Sequence, residues 1–431
     1  MMAFIGPAEV LRKKRAYLMP CMYHFYDQPM QLTRGEMQYL YDSEGKKYLD
    51  CFAGVSVINC GHCNPEITRA VTEQVQTLQH TCNIYLTQNI VDLAEKLATI
   101  TPGTLQKSFF CASGTEANEG ALLLASIYTG KHEFLALRYG LHGRTKFTMS
   151  LNGLAMWRTD ENPVGGINFA PNAYCYRCPF NKHYPECDLA CANEIEEIIK
   201  TATSGKVAAL IAETIQGNGG IIVPPAAYFK RVKEILNAYN ILLIIDEVQT
   251  GFARTGKMFA IEHYEVEPDI MTMAKALGNG VPVGAFIAKD EIAATYTRPG
   301  ASTLGGNPVT AAASLATLDY IAKNDLMRQA ASLGAYFKAG LVKLQEKYPL
   351  IGDVRGLGLM LGAELVYPDK TPAFKEVDLV LEKMKDRGFL IGKNGHHRNV
   401  LAFQPPLVIT EQDIDNTLNN LADVMHCISP S

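Results

Sequence analysis

The 431-residue sequence lacks the features of membrane and nucleic-acid proteins. It contains no apolar run of the roughly 20 residues that a membrane-spanning helix needs. It has no long basic tract, and its 44 Asp and Glu residues exceed its 40 Lys and Arg residues, for a formal net charge of −4. We therefore expect neither a nucleic-acid nor a membrane partner. A secretion signal is not expected either, because the basic residues 12–15 follow the first short apolar stretch instead of preceding it.

The sequence has only one tryptophan but eleven cysteines. An odd number of cysteines scattered through a large chain favours a reducing compartment, the cytoplasm, over a disulfide framework. Four thiols fall within one polar insert with the spacing C-x2-C-x8-C-x3-C: Cys175, Cys178, Cys187 and Cys191. Four thiols can bind Zn²⁺ tetrahedrally, but this spacing is irregular for the common zinc modules. We predict no metal site and keep structural zinc at these cysteines as the alternative.

Strand and helix patterns alternate through the middle of the chain. Short apolar runs at 108–111, 134–137, 208–212, 241–245 and 283–288 predict strands, and 116–128 and 227–239 predict helices. Such alternation predicts an α/β fold with a mainly parallel, doubly wound sheet. No internal repeat or low-complexity linker interrupts it.

The two ends of the chain have a different character. Residues 8–18 predict a helix, and 37–41 with 47–51 predict a hairpin around the turn 42–45. Helices are predicted at 309–322 and 326–347, followed by a mixed αβ segment comprising 359–365, 377–385, 400–403 and 411–424. We expect residues 1–60 to be the N-terminal part of a small domain, 61–307 to be a large domain and 308–431 to be the C-terminal part of the small domain.

Residues 241–289 combine a buried strand with an isolated lysine. The strand ends in Asp246 and Glu247, at the carboxyl end where open α/β sheets bind ligands. Lys275 is the one charged residue between 272 and 286. Apolar surroundings disfavour an ammonium, so this lysine is of the type that becomes a neutral nucleophile and forms a Schiff base. From the residues alone, a structural Asp–Lys pair is the alternative.

A longer pattern surrounds these residues. Residues 246–257 read D-E-V-Q-T-G-F-x-R-T-G-K, and residues 268–285 read P-D-I-x-T-x-A-K-x-L-G-x-G-x-P-x-G-A. Together they resemble the class III (ω-amino acid) aminotransferases, which use pyridoxal 5′-phosphate, and the resemblance covers essentially the whole chain. It implies the type I pyridoxal-phosphate transferase fold, with a large domain and a small αβ domain formed by both termini. It also implies a homodimer with a shared active site, with a tetramer as the alternative.

The resemblance assigns the cofactor ring to residues around Asp246 and Lys275. Asp246 matches the carboxylate that keeps the pyridine nitrogen protonated, which the cofactor needs to act as an electron sink. Lys275 matches the lysine that holds the cofactor as a Schiff base and moves the proton during the reaction. Val248 matches the residue that packs on one ring face, and Gln249 matches the residue near the ring hydroxyl.

Residues 111–118, C-A-S-G-T-E-A-N, follow a predicted strand and lead into a helix. The hydroxyls of Ser113 and Thr115, the close backbone approach at Gly114 and the free N–H groups of a helix N-terminus suit a phosphate. A plain turn before a helix has the same composition. The family has S-G-[STA]-x-A-N at this place and binds the cofactor phosphate with it. Thr303 matches the residue with which the neighbouring subunit contacts the same phosphate.

Two segments depart from the family pattern. Residues 138–145 read R-Y-G-L-H-G-R-T, and Leu141 stands where the family usually has an aromatic residue that stacks on the ring. We expect either Leu141 or Tyr139 to pack on the ring, and His142 to have a supporting role. Glu213 matches a family carboxylate in the site, although Thr214 stands where proline is usual. A structural carboxylate is the alternative for Glu213.

Five positions bear on the substrate. Arg144 matches the arginine that binds the far carboxylate of ω-amino acids, a task suited to a bidentate guanidinium, and a surface arginine in a loop is the alternative. The family's switchable arginine and glutamate are replaced by Ala402 and Asn218, so both charges are missing together, which leaves no unpaired charge. This disfavours 2-oxoglutarate, although Arg398 could substitute for the missing arginine if its loop turns inward. Val55 stands where ornithine-specific relatives carry tyrosine, which argues against ornithine.

These features predict an aminotransferase. The expected donor is an ω-amino acid (β-alanine, 4-aminobutyrate or similar) or alanine, and the expected acceptor is pyruvate or glyoxylate. Residues 59–62 and 352–362 also resemble the alanine–glyoxylate branch. Amino-acid epimerases or racemases and amine-phosphate lyases share the fold and are the alternatives, and a regulatory protein that binds the cofactor without catalysis is a third.

Overall fold

The computed structural model describes residues 4–428, so the ends of the predicted segments 1–60 and 308–431 lie outside the described residues. The helices are α1 (Pro7–Tyr17), α2 (Ala53–Ser56), α3 (Pro65–Thr77), α4 (Gln88–Ile100), α5 (Gly114–Thr129), α6 (Lys146–Ser150), α7 (Ala190–Thr201), α8 (Tyr228–Ala238), α9 (Asp290–Ala293), α10 (Pro308–Lys323), α11 (Leu326–Lys347), α12 (Phe374–Asp386) and α13 (Glu411–Ile428). The strands are β1 (Leu32–Glu36), β2 (Tyr39–Asp42), β3 (Lys47–Asp50), β4 (Leu105–Cys111), β5 (Glu133–Leu137), β6 (Ile167–Ala170), β7 (Val207–Glu213), β8 (Leu242–Asp246), β9 (Ile270–Met273), β10 (Gly284–Lys289), β11 (Ile351–Leu357), β12 (Met360–Leu365), β13 (Phe389–Leu390), β14 (Gly392–Asn394) and β15 (Val400–Phe403).

A seven-stranded sheet with the order β4-β10-β9-β8-β7-β5-β6 forms the centre of the molecule. Strands β5 to β9 pair in parallel, whereas β10 is antiparallel to both of its neighbours, β9 and β4. Every residue of β7 is buried, as expected for a parallel strand that is covered on both faces. The predicted mainly parallel sheet is confirmed.

Helices cover this sheet on both faces. Along β7, Leu210 and Ala212 belong to one apolar cluster, which includes Phe229 and Val232 of α8. The intervening residues, such as Ile211, belong to a second cluster with Leu122 of α5. Because successive strand residues point to opposite faces, the sheet lies between two layers of helices, which is the predicted doubly wound arrangement.

The two ends of the chain meet in a second sheet. The predicted hairpin is present as β2 and β3, which pair antiparallel. Strand β13, from the C-terminal segment, pairs in parallel with β3 and completes the order β1-β2-β3-β13. A third sheet, β11-β12-β15-β14, is antiparallel and comes entirely from the C-terminal segment. The domain boundaries at residues 60 and 307 stay a prediction.

Across residues 4–428, no helix has both the length and the apolar character that crossing a membrane would require.

Candidate active site

A cavity of about 350 Å³ opens at the carboxyl edge of the central sheet. Strands β4, β8 and β9 all end at this edge, so the residues that follow them meet there. Eight of the predicted site residues line the cavity: Ser113, Gly114, Thr115, Leu141, His142, Asp246, Val248 and Lys275. Val57, Asn118 and Ala274 are among the other lining residues. These eight predicted ring and phosphate residues are therefore brought together.

Lys275 follows β9 at the floor of the cavity. Its backbone has φ +47°, in the left-handed region that side chains other than glycine rarely adopt. Burial lowers the pKa of Lys275, because an ammonium loses its hydration there, and the negative charges of Asp246 and Glu213 partly oppose this effect. The neutral amine is consequently more accessible at Lys275 than at a surface lysine.

Asp246, the last residue of β8, is held by three donors. Its Oδ2 lies 2.8 Å from Nδ1 of His142 and accepts a 2.8 Å hydrogen bond from Nδ2 of Asn118. Its Oδ1 accepts from the backbone N–H of Val248 at 3.0 Å. These contacts fix the position of the carboxylate. His142 thus contacts Asp246 directly, and its supporting role stays a prediction.

Sequence reasoning missed two residues behind Asp246. Asn118 donates to Asp246 and also to the backbone carbonyl of His142, at 2.7 Å. The hydroxyl of Thr272 in turn donates to Oδ1 of Asn118 at 2.6 Å, which fixes the amide with its NH₂ group towards the carboxylate. The signal for Asn118 was its place at the end of the S-G-T-x-A-N pattern. Thr272 carries no such signal, since its partner lies 154 positions earlier in the chain.

The N-terminus of α5 faces the cavity. Ser113 caps the helix and accepts a hydrogen bond from the backbone N–H of Glu116 at 3.2 Å. A Cβ atom at Gly114 would lie only 2.8 Å from Cγ1 of Val248, so glycine is required for this close approach. Two hydroxyls, a helix N-terminus and a tight backbone fit a phosphate group.

The remaining surfaces fit a flat heteroaromatic ring. Val248 and Leu141 present apolar atoms, whereas Asp246 presents a carboxylate and Lys275 an amine. Nε2 of His142, a buried lining residue, has no hydrogen-bond partner within residues 4–428. The donor set and the cavity therefore fit pyridoxal phosphate, which Lys275, Asp246 and the N-terminus of α5 would hold.

Of the two candidates for the stacking residue, Leu141 is the one at the cavity. Its backbone N–H donates to Oε1 of Glu213 at 2.8 Å, and Oε2 of Glu213 accepts from the N–H of Gly217 at 3.1 Å. Tyr139 is turned away and stacks on His396, with ring centroids 5.0 Å apart and planes at 12°. Burial raises the pKa of Glu213 to about 7. Glu213 therefore positions the Leu141 loop from outside the cavity lining.

Besides Glu213, four predicted residues lie away from the cavity lining of this chain. Gln249 is buried against Gly217, where an added Cβ would lie within 1.9 Å of Oε1 of Gln249. Thr303 and Arg144 are exposed, and Val55 is half-buried. Val57, two residues beyond Val55, lines the cavity instead.

The turn α2, which carries Val55, is left-handed. Ala53, Gly54, Val55 and Ser56 have φ between +49° and +68°. Each left-handed residue other than glycine costs roughly 1–2 kcal/mol. Asp50 compensates, because its Oδ1 accepts from the backbone N–H groups of Phe52 and Ala53 at 2.9 and 2.8 Å, while its Oδ2 lies 2.7 Å from Nε2 of His62.

Positions 402 and 218, where the family carries its switchable arginine and glutamate, have uncharged side chains, and both side chains contact other residues. Ala402 is fully buried in a small apolar cluster with Ile215, Ile221 and Met360. Asn218 accepts a hydrogen bond on Oδ1 from the indole N–H of Trp157 at 2.9 Å.

The cysteine insert forms a separate feature. Cys175, Cys178, Cys187 and Cys191 line one small cavity beside the start of α7. Nowhere in the described residues do three or more His, Cys, Asp or Glu side chains converge in a way that could hold a metal ion.

This fold and this site together define a pyridoxal-phosphate-dependent enzyme of fold type I. The family model for class-III aminotransferases matches residues 23–425. The chain belongs to the class-III aminotransferase family.

Three relatives and one solved structure show how far the similarity extends. The chain is 42% identical to alanine–glyoxylate aminotransferase 2 homolog 2, mitochondrial, of Arabidopsis thaliana, over 96% of this chain and 86% of the relative. It is 40% identical to a leucine/methionine racemase of Thermococcus litoralis (91% and 90%) and 41% identical to an acetylornithine aminotransferase of Methanocaldococcus jannaschii (92% and 93%). A Bacillus anthracis aminotransferase structure superposes with a TM-score of 0.92 at 32% identity, covering 98% of both chains.

Proposed function

We propose that the protein transfers an amino group from an ω-amino acid, such as β-alanine or 4-aminobutyrate, or from alanine, to pyruvate or glyoxylate. The observation that supports the proposal is that the two switch positions, Ala402 and Asn218, are both uncharged. Ala402 is enclosed by apolar side chains, and Asn218 is bound to Trp157. An acceptor with two carboxylates, such as 2-oxoglutarate, needs a second cationic contact that these positions do not supply.

The proposed roles of the site residues follow from their contacts. Pyridoxal phosphate, when bound, supplies an electron sink. Asp246, fixed by His142 and Asn118, holds a proton at the ring nitrogen. The amine of Lys275, whose pKa burial lowers, binds the cofactor and carries the proton to and from the reacting carbon.

Other residues bind the cofactor phosphate or exclude water from the ring. Ser113 and Thr115 donate to the phosphate at the N-terminus of α5. Val248 and Leu141 exclude water from the ring faces, and Gln249 acts near the ring hydroxyl. Arg144, which is exposed in this chain, stays a candidate for the far carboxylate on the family resemblance alone.

We also propose a homodimer in which each subunit completes the other's site. Leu86 and Ile84 are 99% and 80% exposed, and Tyr85 and Leu304 are exposed as well. The two segments approach each other, because an added Cβ at Gly306 would lie 2.6 Å from Cδ1 of Ile90. Exposed apolar side chains on two neighbouring segments are typical of a protein interface. Thr303, next to Leu304, would then reach the partner's phosphate.

The cytoplasm is the proposed location and rests on the odd number and scatter of the cysteines. The Arabidopsis relative is named as mitochondrial, so a mitochondrial location is the competing proposal.

The test of the function is the absorbance spectrum of the bound cofactor during addition of β-alanine and then pyruvate. We expect the spectrum to change with β-alanine and to return with pyruvate, because the two half-reactions form a cycle. Recovery with 2-oxoglutarate should be much slower. Equal recovery with both acceptors would contradict the proposed acceptor, and a Lys275→Ala variant should show no cycle.

A racemase is the second candidate, because a relative of 40% identity is named leucine/methionine racemase. A racemase would exchange the α-hydrogen with solvent without an oxo acid and would accumulate no aminated cofactor. An amine-phosphate lyase would instead release phosphate and ammonia. A spectrum that no amine changes would indicate a non-catalytic binder.

A further inference from the structure

The guanidinium of Arg398 is half-buried and has no carboxylate as an ion-pair partner within residues 4–428. Arg177 and Arg355 both pair with Glu364, whereas no carboxylate within residues 4–428 lies at ion-pair distance from Arg398. The acid that acts on it from a distance, Asp378, is already paired with Lys393. Loss of hydration lowers the pKa of Arg398. A desolvated cation without a partner is costly unless an anion binds to it.

The loop that carries Arg398 is hydrogen-bonded to the backbone of residues 217 and 218. Nδ2 of Asn394 donates to the carbonyl of Gly217 at 2.9 Å, and the N–H of Gly395 donates to the carbonyl of Asn218 at 3.0 Å. Gly217 is also the residue whose N–H binds Glu213, the carboxylate that positions the Leu141 loop. The loop is therefore linked to Leu141, which lines the cavity, indirectly through Gly217 and Glu213.

Aromatic side chains surround the guanidinium. Its Cζ lies 5.7 Å from the ring centroid of Phe25, and Phe25 packs 6.1 Å from Phe52. Tyr23 lies near the guanidinium and 6.4 Å from Trp157, whose indole N–H binds Asn218. An aromatic wall with a single cation suits a short aliphatic chain that ends in one anionic group.

We propose that Arg398 binds the carboxylate of the substrate and replaces the arginine that is missing at position 402. The proposal rests on the proposed function, since it names the group that recognises the acid end of the donor and the acceptor. A guanidinium binds a carboxylate bidentately, and within residues 4–428 this one hydrogen-bonds with Tyr23 but forms no ion pair with a carboxylate. A single cation at this place also accounts for a preference for monocarboxylates. Arg144, which is exposed, is the rival residue.

The first test measures binding without catalysis. Trp157 is the only tryptophan in the sequence and lies within this aromatic wall, so its fluorescence reports on the site. Propionate, which has no amino group, should change the fluorescence of the cofactor-loaded enzyme in a saturable way. Arg398→Ala should abolish the change and Arg398→Lys should retain part of it. Arg34→Ala is the matched control, because Arg34 also stacks on an aromatic ring but is exposed and paired with Glu36.

The second test separates the carboxylate contact from general damage. In Arg398→Ala, KM for β-alanine should rise about 10- to 100-fold, whereas kinetics with propylamine, which lacks a carboxylate, should stay at the wild-type level. Equal losses on both amines, or a selective loss in Arg144→Ala instead, would overturn the proposal. If the wild type transfers no amino group from either amine, the proposed function fails, while the propionate titration still shows whether Arg398 binds a carboxylate.

Discussion

Asp246 and Glu247, adjacent carboxylates at the end of β8, have opposite surroundings. Asp246 faces the cavity, whereas Glu247 points away and is fully buried. Glu247 accepts hydrogen bonds from Thr214, from Thr250 and from the backbone N–H groups of residues 260 and 261. Thr214, which replaces the usual proline of the family, therefore supplies one of these donors. Burial nevertheless raises the pKa of Glu247 to about 7.

This shift gives a pH dependence of stability with a defined sign. The folded protein keeps the Glu247 proton up to about pH 7, whereas the unfolded chain loses it near 4.5, so stability should fall as pH rises through this window. The contribution is about 3 kcal/mol. Chemical denaturation across the window should show the decline in the wild type and a flatter profile in Glu247→Gln.

Glu265→Gln is the control for this pH experiment, because Glu265 is exposed and paired with Lys230. It should keep the wild-type slope. A Glu247→Gln variant that also keeps the full slope would show that Glu247 is not the source, and Glu213, which has the same raised pKa, would be the next residue to replace.

Among individual residues, sequence analysis found those whose own side-chain chemistry is distinctive and missed those that only position other side chains. Lys275 and Asp246 were predicted from an isolated lysine and a strand-end acid, and both line the cavity. Thr272 could not be found, because its role depends on a contact with Asn118 across the sheet. The roles themselves stay predictions.

Among the elements, the left-handed turn α2 is the most strained and depends on one side chain. Val55 is β-branched and has φ +68°, a combination that local preferences disfavour. Asp50 holds the turn through two backbone N–H groups and is itself oriented by His62. The strain lies directly before Val57, which lines the cavity.

Asp50→Ala should therefore destabilise the protein by about 2–3 kcal/mol, because it leaves buried donors without an acceptor. Chemical denaturation at fixed pH measures the loss. Asp42 offers a matched control, since it also accepts two backbone N–H groups, but in a partly exposed hairpin turn. Asp42→Ala should cost less than about 1 kcal/mol, and equal effects of the two changes would refute the argument.

Strands were predictable where they are continuous and apolar, as β7 and β8 are. Strand β1 reads L-T-R-G-E and has alternating exposure, so its apolar content gave no signal. The antiparallel direction of β10 follows from its short link to β9, residues 274–283, since a parallel crossover needs a dozen or more residues. The left-handed turn could not be predicted, because three of its four residues are not glycine.

For the whole molecule, the exposed apolar surface bears on assembly. The patch formed by Ile84, Tyr85, Leu86 and Leu304 is apolar and exposed, and Thr303 borders it. A shared site would explain why Thr303 is absent from the cavity lining of its own chain.

Leu86→Asp should convert a dimer to monomers, because it places a charge at the most exposed apolar residue of the patch. Analytical ultracentrifugation measures the mass, and activity should fall with the dimer fraction. Leu379→Asp, on α12 and outside the patch, should leave the mass unchanged. A monomeric wild type, or a Leu86→Asp variant that stays dimeric, would refute this interface.

The pairing of β3 with β13 also affects how the protein is made. Residues 47–50 leave the ribosome early, but their partner, residues 389–390, follows more than 300 residues later. At ordinary rates of translation this delay is on the order of tens of seconds. During that time one edge of the amino-terminal hairpin has no strand beside it and is open to wrong partners, including neighbouring nascent chains. Expression yield should consequently depend on chaperones that cover this edge until the carboxyl-terminal segment arrives.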